Sequence, residues 1–454
     1  MGGDPYAVKS EPSDRQGIAS ERAVLVRVIL GNEAFHEDPL EELAGLATTA
    51  GVEIVGRIIQ RRESPTPNTY LGSGKVEELK LLIEAEEADV VIFDNDLSPA
   101  QIRNLEKATG VKVLDRTEVI LDIFASSAQT YEARLAVELA QLEYSLPRLK
   151  RMWTHLSRMK MGVGMRGPGE KQLEVDRRLV EKRISDLREE LRKIEGRKER
   201  QVAARADHMT VSLVGYTNAG KSTLMNALTD AGVVARDALF ATLDTRTRRW
   251  QLPGWGPVLL SDTVGFIRDL PHGLIASFKA TLEEARQADL LLHIADASNP
   301  AVCDQISSVY RVLEELEIEE KDTLLGLNKI DRMAEPSQLL QVQHRYPNAI
   351  PISAAKGIGL KEFAQRVSDA LSRSFRDIDV ETGVDNGRLM AYLAQHGEVL
   401  SRRYHDDRVT LHVRLPQKYI GRLDNVDAII RPHTNGSPAA ETAELPIERA
   451  EDVA

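Results

Sequence analysis

The hydrophobic positions of this chain fall into short apolar runs separated by polar or amphipathic stretches. Four runs near the N-terminus alternate with helix-like segments and predict an α/β domain over residues 22–130. Five later runs predict a larger α/β domain with a mainly parallel sheet over residues 208–375. The four runs are 23–29, 53–59, 90–93 and 111–114, and the five are 211–214, 257–261, 290–294, 323–327 and 349–352.

Residues 131–205 follow a different period, in which apolar side chains recur at alternating intervals of four and three after a first step of seven. This spacing predicts a coiled-coil seam, and an earlier helix over about 131–149 carries a stripe that would pair with it antiparallel. The segment 161–170 is too rich in glycine for a helix. We therefore expect a long helical hairpin with a flexible, glycine-rich tip. The seam comprises Leu173, Val180, Ile184, Leu187, Leu191 and Ile194, and the stripe comprises Val137, Ala140 and Tyr144.

The rest of the chain carries weaker signals. A helical pattern at 387–394 and a strand pattern at 409–415 predict a small α/β domain over residues 376–432. Residues 1–21 and 433–454 are polar and non-periodic, which predicts two disordered termini. The expected fold class is therefore multidomain α/β, with a helical hairpin between the first two domains.

Composition narrows the class of protein. The 454 residues are 42% hydrophobic, and no apolar run has the length of a transmembrane helix. The first residues lack the charged and then apolar pattern of a signal sequence. Cys303 is the one cysteine in the sequence, which excludes an internal disulfide and a cysteine zinc cluster. We expect a cytoplasmic protein and a monomer.

Positive charge is concentrated on the predicted hairpin. The formal net charge of the chain is −11, yet residues 146–205 contain eighteen Lys and Arg against nine Asp and Glu. This excess predicts a polyanion partner, and Trp153, His155 and Met165 near the tip are able to stack on or wedge against bases. The alternative is a solvated helix surface balanced by ion pairs between residues four apart.

A glycine-rich turn follows the first strand of the larger domain and precedes a predicted helix at 223–228. Glycines permit positive φ, which turns backbone N–H groups inward around phosphates at a helix N-terminus. Lys221 would reach the β- and γ-phosphates, and the Ser222 hydroxyl would ligate Mg²⁺. The order of strand, turn and helix therefore predicts a triphosphate-binding loop. Its residues are Gly215, Tyr216, Thr217, Asn218, Ala219, Gly220, Lys221 and Ser222.

Three short motifs at the ends of later strands complete a predicted guanine-nucleotide site. Asp262 would belong to the magnesium shell, and the backbone N–H of Gly265 would contact the γ-phosphate. The Asp331 carboxylate would accept hydrogen bonds from guanine N1–H and N2–H₂, a donor pair that adenine lacks. The small residues after the last strand would let backbone N–H groups approach guanine O6. The motifs are Asp262, Thr263, Val264 and Gly265; Asn328, Lys329, Ile330 and Asp331; and Ser353, Ala354 and Ala355.

Phe266 stands directly after Gly265, where many small GTPases place the glutamine that orients the attacking water. A phenyl ring makes no such hydrogen bond. We therefore expect GTP hydrolysis that is slow in the isolated protein and stimulated by a macromolecular partner.

Two loops leave alternatives open. Asn218 resembles the asparagine of potassium-stimulated GTPases and would ligate K⁺, or it is a turn residue that tolerates a left-handed conformation. Residues 70–79 are expected to form a tight loop that caps a helix, the alternative being a second phosphate site.

Residues 208–375 resemble the translation-factor-like GTPases, with a first switch that is similar to that of the Obg and HflX group. This resemblance implies that Thr242 is the second magnesium ligand beside Ser222. The HflX pattern has a proline where this chain has Thr245, which leaves Thr245 and Thr247 as rival ligands. The switch residues are Phe240, Ala241, Thr242, Leu243 and Asp244.

The strings at 71–75, 116–124, 141–149 and 166–174 extend the resemblance to the HflX family over about residues 50–375. The catalytic residues expected for GTP hydrolysis are Lys221, Thr242 and Gly265. The resemblance implies binding to the large ribosomal subunit and its RNA, not to DNA, with the hairpin tip reaching toward the peptidyl-transferase region, and separation of stalled or idle ribosomes. Two alternatives remain: a ribosome-assembly or RNA-remodelling GTPase, and a signalling GTPase with protein partners only.

Overall fold

The structure, a computed structural model, divides into two compact units over residues 1–367 and 368–454. The first unit contains two sheets and a helical hairpin, and the second contains one sheet. The structure describes residues 20–31, 38–152, 168–204, 208–229, 239–240, 245–253, 256–268, 284–315, 318, 323–333, 336–373, 375–420, 423 and 428–433.

The N-terminal sheet of the first unit forms at the four predicted apolar runs. Its elements are β1 Arg22–Leu30, α1 Glu41–Thr49, β2 Glu53–Arg62, α2 Ser73–Glu86, β3 Val90–Phe93, α3 Pro99–Thr109, β4 Lys112–Asp115 and α4 Arg116–Ser127. The four strands are parallel, in the order β2-β1-β3-β4. Every residue from Ala23 to Ile29 is buried, as expected for a parallel strand with both faces covered by helices. Helix α2 begins at Ser73, as the loop-and-helix interpretation of residues 70–79 requires.

Two long helices, α5 (Tyr131–Met152) and α6 (Pro168–Ala204), form the predicted hairpin. Ion pairs join Glu132 to Lys198 and Glu138 to Arg183, so the helices run antiparallel. The seam residues Ile184, Leu187, Leu191 and Ile194 are buried, as are Val137 and Ala140 of the α5 stripe, and Val180 and Tyr144 are partly buried.

The start of α6 corrects one prediction. The helix includes Pro168, Gly169 and Glu170, which the glycine-rich segment 161–170 was expected to exclude. Proline is favoured at the first helical position because its fixed φ suits the helix and its missing N–H costs no hydrogen bond there. The tip, with Trp153, His155 and Met165, lies outside the described residues, as does the side chain of Leu173.

The second sheet of the first unit carries the predicted nucleotide motifs. Its elements are β5 Thr210–Gly215, α7 Lys221–Thr229, β6 Arg246–Leu252, β7 Gly256–Asp262, β8 Leu290–Asp296, α8 Val302–Glu315, β9 Thr323–Asn328, α9 Pro336–Arg345, β10 Ile350–Pro351 and α10 Leu360–Ser372. The strand order is β10-β9-β8-β5-β7-β6, and β6 alone among these runs antiparallel to its neighbour. The predicted mainly parallel sheet is confirmed.

The second unit is a small α/β fold, as predicted, around an antiparallel sheet. Its elements are β11 Phe375–Gly383, α11 Gly387–His396, β12 Glu398–His405, β13 Arg408–Pro416, α12 Gln417–Ile420 and β14 Ala428–Pro432. The strand order is β12-β13-β11-β14.

Most residues of the two termini predicted to be disordered lie outside the described residues. The predicted ranges 1–21 and 433–454 nevertheless include Ser20 and His433, which the structure describes. The backbone N–H of Ser20 donates to the carbonyl oxygen of Gly51 at 2.9 Å. The backbone N–H of His433 donates to the carbonyl oxygen of Asp377, also at 2.9 Å. Ser20 and His433 therefore belong to the folded units.

Candidate guanine-nucleotide site

The loop between β5 and α7 has the backbone conformation that its glycines predict. Gly215 has φ +149°, and a Cβ there would lie 2.1 Å from the carbonyl oxygen of Ile294. Gly220 has φ +90°, and a Cβ there would lie 2.4 Å from the side-chain nitrogen of Asn328. Asn218 has φ +59°, the left-handed conformation of a turn residue. Its role as a potassium ligand stays a prediction.

The Lys221 side chain is buried inside this loop. Its ammonium donates hydrogen bonds of 3.0 Å to the carbonyl oxygens of Gly215 and Tyr216. Burial lowers the pKa of Lys221 to about 8, and the nearby Asp262 carboxylate opposes this effect. Burial, reinforced by the Lys221 charge, lowers the pKa of His293 on β8 to about 3. His293 is therefore neutral at physiological pH and adds no charge beside Lys221.

Two oxygen donors at the start of α7 and the end of β7 fit a magnesium ion. The Ser222 hydroxyl donates a 2.6 Å hydrogen bond to Oδ2 of Asp262, and Asp262 is fully buried. Hydroxyl and carboxylate oxygens are the hard ligands that Mg²⁺ prefers. The Thr263 hydroxyl, which donates to the carbonyl oxygen of Leu213 at 2.7 Å, fixes the chain just after the strand.

Gly265 and Phe266 dock onto the phosphate loop. The backbone N–H of Thr217 donates to the Phe266 carbonyl oxygen at 2.6 Å, and the Phe266 N–H donates to the Gly215 carbonyl oxygen at 3.1 Å. A Cβ on Gly265 would lie 2.7 Å from Thr217 Cα and 3.1 Å from Lys221 Nζ, so only glycine fits. The side chains of Phe266 and its neighbour Val264 are buried in a hydrophobic cluster.

Phe240 begins the predicted first switch and is also anchored to the loop. Its backbone N–H donates to the Thr217 hydroxyl at 2.7 Å. Its ring packs edge-on against Phe124 of α4, with ring centroids 4.6 Å apart. The rest of the switch, 241–244, lies outside the described residues. The predicted role of Thr242 therefore stays untested.

Thr247 is a weak rival for that role. Its hydroxyl lies 3.1 Å from the Ser261 hydroxyl and donates to the Glu284 carboxylate, also at 3.1 Å. These two contacts keep the Thr247 side chain at the β6 edge of the sheet, where Thr247 of β6 pairs with Ser261 of β7.

Asn328 joins three motifs of the site. Its side-chain nitrogen donates to the carbonyl oxygen of Ala219, and its side-chain oxygen accepts from the Ala354 N–H, each at 2.9 Å. Asp331 is exposed at the start of the next turn, where its carboxylate accepts a hydrogen bond from the buried Ser353 hydroxyl. The carboxyl ends of parallel strands meet at one edge of the sheet, and they bring these motifs together there.

The remaining residues of the predicted base site lie beside them. Lys329 has a left-handed φ of +62°, and its ammonium pairs with Asp296 at 2.7 Å. Ile330 begins a short 3₁₀ turn, and Ala355 is exposed. Asp296 is not among the site residues predicted from the sequence. Its position at the end of β8, a predicted strand, is the feature that could have identified it.

A buried ionic cluster joins the phosphate loop to the N-terminal sheet. The Arg116 guanidinium is ion-paired with Glu42 and Asp94, the latter at 2.8 Å, and donates to the carbonyl oxygen of Arg268 at 3.2 Å. The Tyr216 hydroxyl donates to Glu42 and accepts from the Arg268 N–H, both at 2.7 Å. The cluster therefore contacts the phosphate loop and the segment after Gly265 from the N-terminal side.

Two side chains of this cluster, Arg116 and Tyr216, have raised pKa values. Burial opposes ionisation of Arg116, but the carboxylates of Glu42 and Asp94 outweigh it and hold its pKa above the ordinary range. Burial, followed by the charge of Glu42, holds the pKa of Tyr216 well above its usual value. Arg116 therefore stays charged, and the Tyr216 hydroxyl keeps the proton it donates.

Three known families match consecutive parts of the chain. They are described as GTP-binding GTPase N-terminal over residues 37–125, GTP-binding GTPase Middle Region over 127–205 and 50S ribosome-binding GTPase over 210–329. The GTPase HflX of Escherichia coli (strain K12) is 45% identical over 402 residues, which cover 88% of this chain and 94% of that protein. The chain belongs to the HflX family of GTPases.

Other HflX relatives match to a similar extent. The GTPase HflX of Magnetococcus marinus is 47% identical over 387 residues, which cover 85% of this chain and 89% of that protein. Among solved structures, a GTP-binding protein from the archaeon Sulfolobus solfataricus in complex with GDP is 25% identical, with a TM-score of 0.41 over 77% of this chain and 98% of that one.

Membership of the HflX family makes this chain a GTPase, and it accounts for the motifs gathered at the sheet edge. GTP and GDP, with Mg²⁺, are the ligands of such a domain. No described helix combines the length and the apolar character that crossing a membrane requires.

Proposed function

We propose that this HflX-family GTPase binds the large ribosomal subunit in its GTP-bound form and promotes the separation of stalled or idle ribosomes in the cytoplasm. The observation that carries the proposal is one hydrophobic cluster that contains Phe240 and Phe266 beside the nucleotide site together with Leu187 of the hairpin. Close-packed cores transmit displacements because they have little free volume. A nucleotide-dependent shift of Phe240 or Phe266 would therefore reach the hairpin.

The proposed nucleotide contacts rest on the positions described above, except that of Thr242, which rests on the resemblance of the first switch to the HflX group. Lys221 would bind the β- and γ-phosphates, Ser222 and Thr242 would hold Mg²⁺, and Asp331 would read guanine. Bound Mg²⁺ neutralises charge on the phosphates. Gly265 lies against Lys221, so a γ-phosphate at that ammonium would displace the segment containing Gly265 and Phe266. That displacement would make this segment the sensor of GTP.

Hydrolysis by the isolated protein would be slow. Phe266 is 2% exposed and its phenyl ring belongs to the hydrophobic cluster, so it offers no hydrogen bond to an attacking water. Loss of the residue that positions the water lowers the hydrolysis rate by orders of magnitude in this class of enzyme. We propose that the large subunit restores that rate.

The hairpin would supply the contact with ribosomal RNA, mainly through its tip. Some of its cations are already neutralised, since Arg148 pairs with Asp115 and Glu118, and Arg183 pairs with Glu138. These pairs reduce the charge that the helices offer to a polyanion. Residues 153–167 contain three cations and no carboxylate, which supports a contact concentrated at the tip.

Sedimentation of intact ribosomes tests the proposal. With the protein and a non-hydrolysable GTP analogue, we expect intact ribosomes to convert to separate subunits, and with GDP we expect no conversion. Replacing Arg158, Lys160 and Arg166 of the tip by Ala should abolish conversion while nucleotide binding is retained. Arg183→Ala is the matched control, because that cation is already paired.

Two results would contradict the proposal. Binding to immature particles without separation of intact ribosomes would favour the assembly alternative. Nucleotide binding without any ribosome binding would favour a signalling GTPase with protein partners.

A further inference from the structure

The sheet of the second unit has one buried face and one open, polar face. From Asp377 to Thr382 of β11, buried and partly exposed residues alternate, because successive strand residues point to opposite faces. The buried residues are Ile378, Val380 and Thr382, and the partly exposed ones are Asp377, Asp379 and Glu381.

Two histidines share this open face with Asp379. His412 on β13 lies directly opposite Asp379 in the antiparallel register. His433 follows β14 and is anchored by its backbone hydrogen bond to Asp377. One donor atom from each of Asp379, His412 and His433 lies within 4.8 Å of the other two.

The three side chains of this trio are in close contact. Nδ1 of His433 lies 3.0 Å from both carboxylate oxygens of Asp379. The His412 and His433 rings stack with centroids 3.6 Å apart and an angle of 16° between their planes. Nε2 of His412 is buried without a hydrogen-bond partner among the described residues. A buried polar atom without a hydrogen-bond partner is rare in folded proteins, so this nitrogen is a candidate donor for a ligand.

Asp379 also differs from the carboxylates on either side of it. Asp377 is paired with Arg414 at 2.8 Å, and Glu381 is paired with Arg408 at 2.9 Å. Both neighbours are thus neutralised by permanent cations, whereas the partner of Asp379 is an imidazole, which is itself a metal ligand when neutral. The side chains of His433 and Asp379 are 24% and 33% exposed, so an ion from solvent has access.

We propose that Asp379, His412 and His433 bind a divalent transition-metal ion of the zinc class. Two imidazole nitrogens and one carboxylate oxygen form a mixed nitrogen and oxygen donor set. Such a set binds ions of the zinc class in preference to Mg²⁺ or Ca²⁺. Bonds of about 2.0–2.2 Å place tetrahedral donors roughly 3.4 Å apart, so the donor atoms would move closer together on binding. The stacked imidazole rings would also turn, so that the in-plane lone pair of each points at the ion.

The bound ion would have a structural consequence. It would join the end of β14 to β11 and β13, because Asp379 lies on β11, His412 lies on β13 and His433 directly follows β14. Three protein ligands leave one tetrahedral position for water or for a ligand from another molecule. The site lies within the second unit and does not depend on the proposed action on ribosomes.

Cobalt titration tests this proposal, with the full-length protein free of any histidine tag and its nucleotide site saturated with Mg²⁺ and GDP. We expect Co²⁺ to give visible absorption bands at a stoichiometry of one per chain, and Zn²⁺ to displace it. His412→Ala, His433→Ala and the near-isosteric Asp379→Asn should each weaken Co²⁺ binding at least tenfold. His405→Ala, an exposed histidine on β12 of the same unit, is the matched control and should bind Co²⁺ as the unaltered chain does.

Circular dichroism establishes that each variant is folded, and GDP affinity shows that the first unit is unaffected. The absence of cobalt bands in the unaltered chain would overturn the proposal and leave only a hydrogen bond between His433 and Asp379. Equal cobalt binding by folded Asp379→Asn and His433→Ala would overturn it as well, because the ion would then be held elsewhere.

Discussion

The Tyr216 hydroxyl donates a 2.7 Å hydrogen bond to the carboxylate of Glu42, although 174 positions separate the two residues in the sequence. The same hydroxyl accepts a 2.7 Å hydrogen bond from the backbone N–H of Arg268. One side chain of the phosphate loop therefore contacts helix α1 and the chain that follows Gly265. Any movement of that chain on GTP binding has to break or rearrange these bonds.

Tyr216→Phe should lower the free energy of unfolding of the first unit by about 1–3 kcal/mol, because it leaves Glu42 and the Arg268 N–H short of a buried partner. Urea denaturation measures the change. Tyr131→Phe is the matched control, since its hydroxyl bonds Glu190 at 2.6 Å but the side chain is 62% exposed. The control should change the unfolding free energy by less than about 0.5 kcal/mol. Equal losses of unfolding free energy in the two variants would show that the Tyr216 hydrogen bonds do not stabilise the first unit.

Gly265→Ala should reduce GTP hydrolysis at least tenfold while GDP affinity changes little. The added Cβ would lie 2.7 Å from Thr217 Cα, so the segment containing residue 265 would move away from the phosphate loop. Its backbone N–H would then lose the proposed contact with the γ-phosphate. GDP has no γ-phosphate, so its affinity should be little affected. Turnover and GDP titration measure the two effects. Gly74→Ala, where a Cβ would meet nothing within 4 Å, is the control and should leave both unchanged. Normal turnover by Gly265→Ala would contradict the proposed sensor.

Asp331→Asn should shift the base preference from guanine toward xanthine. The carboxylate would accept hydrogen bonds from two guanine donors, whereas an amide would place a donor opposite the 2-amino group and match the 2-oxo group of xanthine. Competition between GTP and XTP measures the shift. Undiminished GTP affinity would show that Asp331 does not read the base.

Nucleotide binding should take up protons above about pH 7.5. In the nucleotide-free protein, burial lowers the pKa of Lys221 to about 8. Bound phosphates would favour the charged form of Lys221 and raise that pKa. The free protein is therefore increasingly deprotonated at Lys221 as pH rises, and binding returns the proton. Calorimetry in buffers of different ionisation enthalpy should show uptake that is larger at pH 8.5 than at pH 7.5. Uptake that does not rise with pH would contradict this assignment.

The sequence predicted the parallel strands well because a strand buried on both faces is a continuous apolar run. Residues 290–294, for example, lie within β8 (Leu290–Asp296). Strand β6 escaped prediction because Arg246–Leu252 is an edge strand with four polar residues at its start, RTRR, and no apolar alternation there. Edge strands bury less surface and leave a weaker pattern.

The nucleotide motifs were predictable because each is local and tied to a strand end. The ionic cluster was not, because Glu42 and Arg116 are 74 positions apart and meet only after the N-terminal sheet has folded. Arg148 is a second example of a long-range contact that the sequence did not predict. Its charge belongs to the basic excess of residues 146–205, yet in the structure its guanidinium pairs with the Asp115 carboxylate at 2.7 Å.

The most direct test of the central claim is the rate of GTP hydrolysis by the purified protein, alone and with purified large or small ribosomal subunits. The buried Phe266 and the proposed contact with the large subunit predict slow turnover alone, an increase of at least about 100-fold with large subunits, and no increase with small subunits. Fast hydrolysis by the protein alone, or equal stimulation by both subunits, would contradict the account.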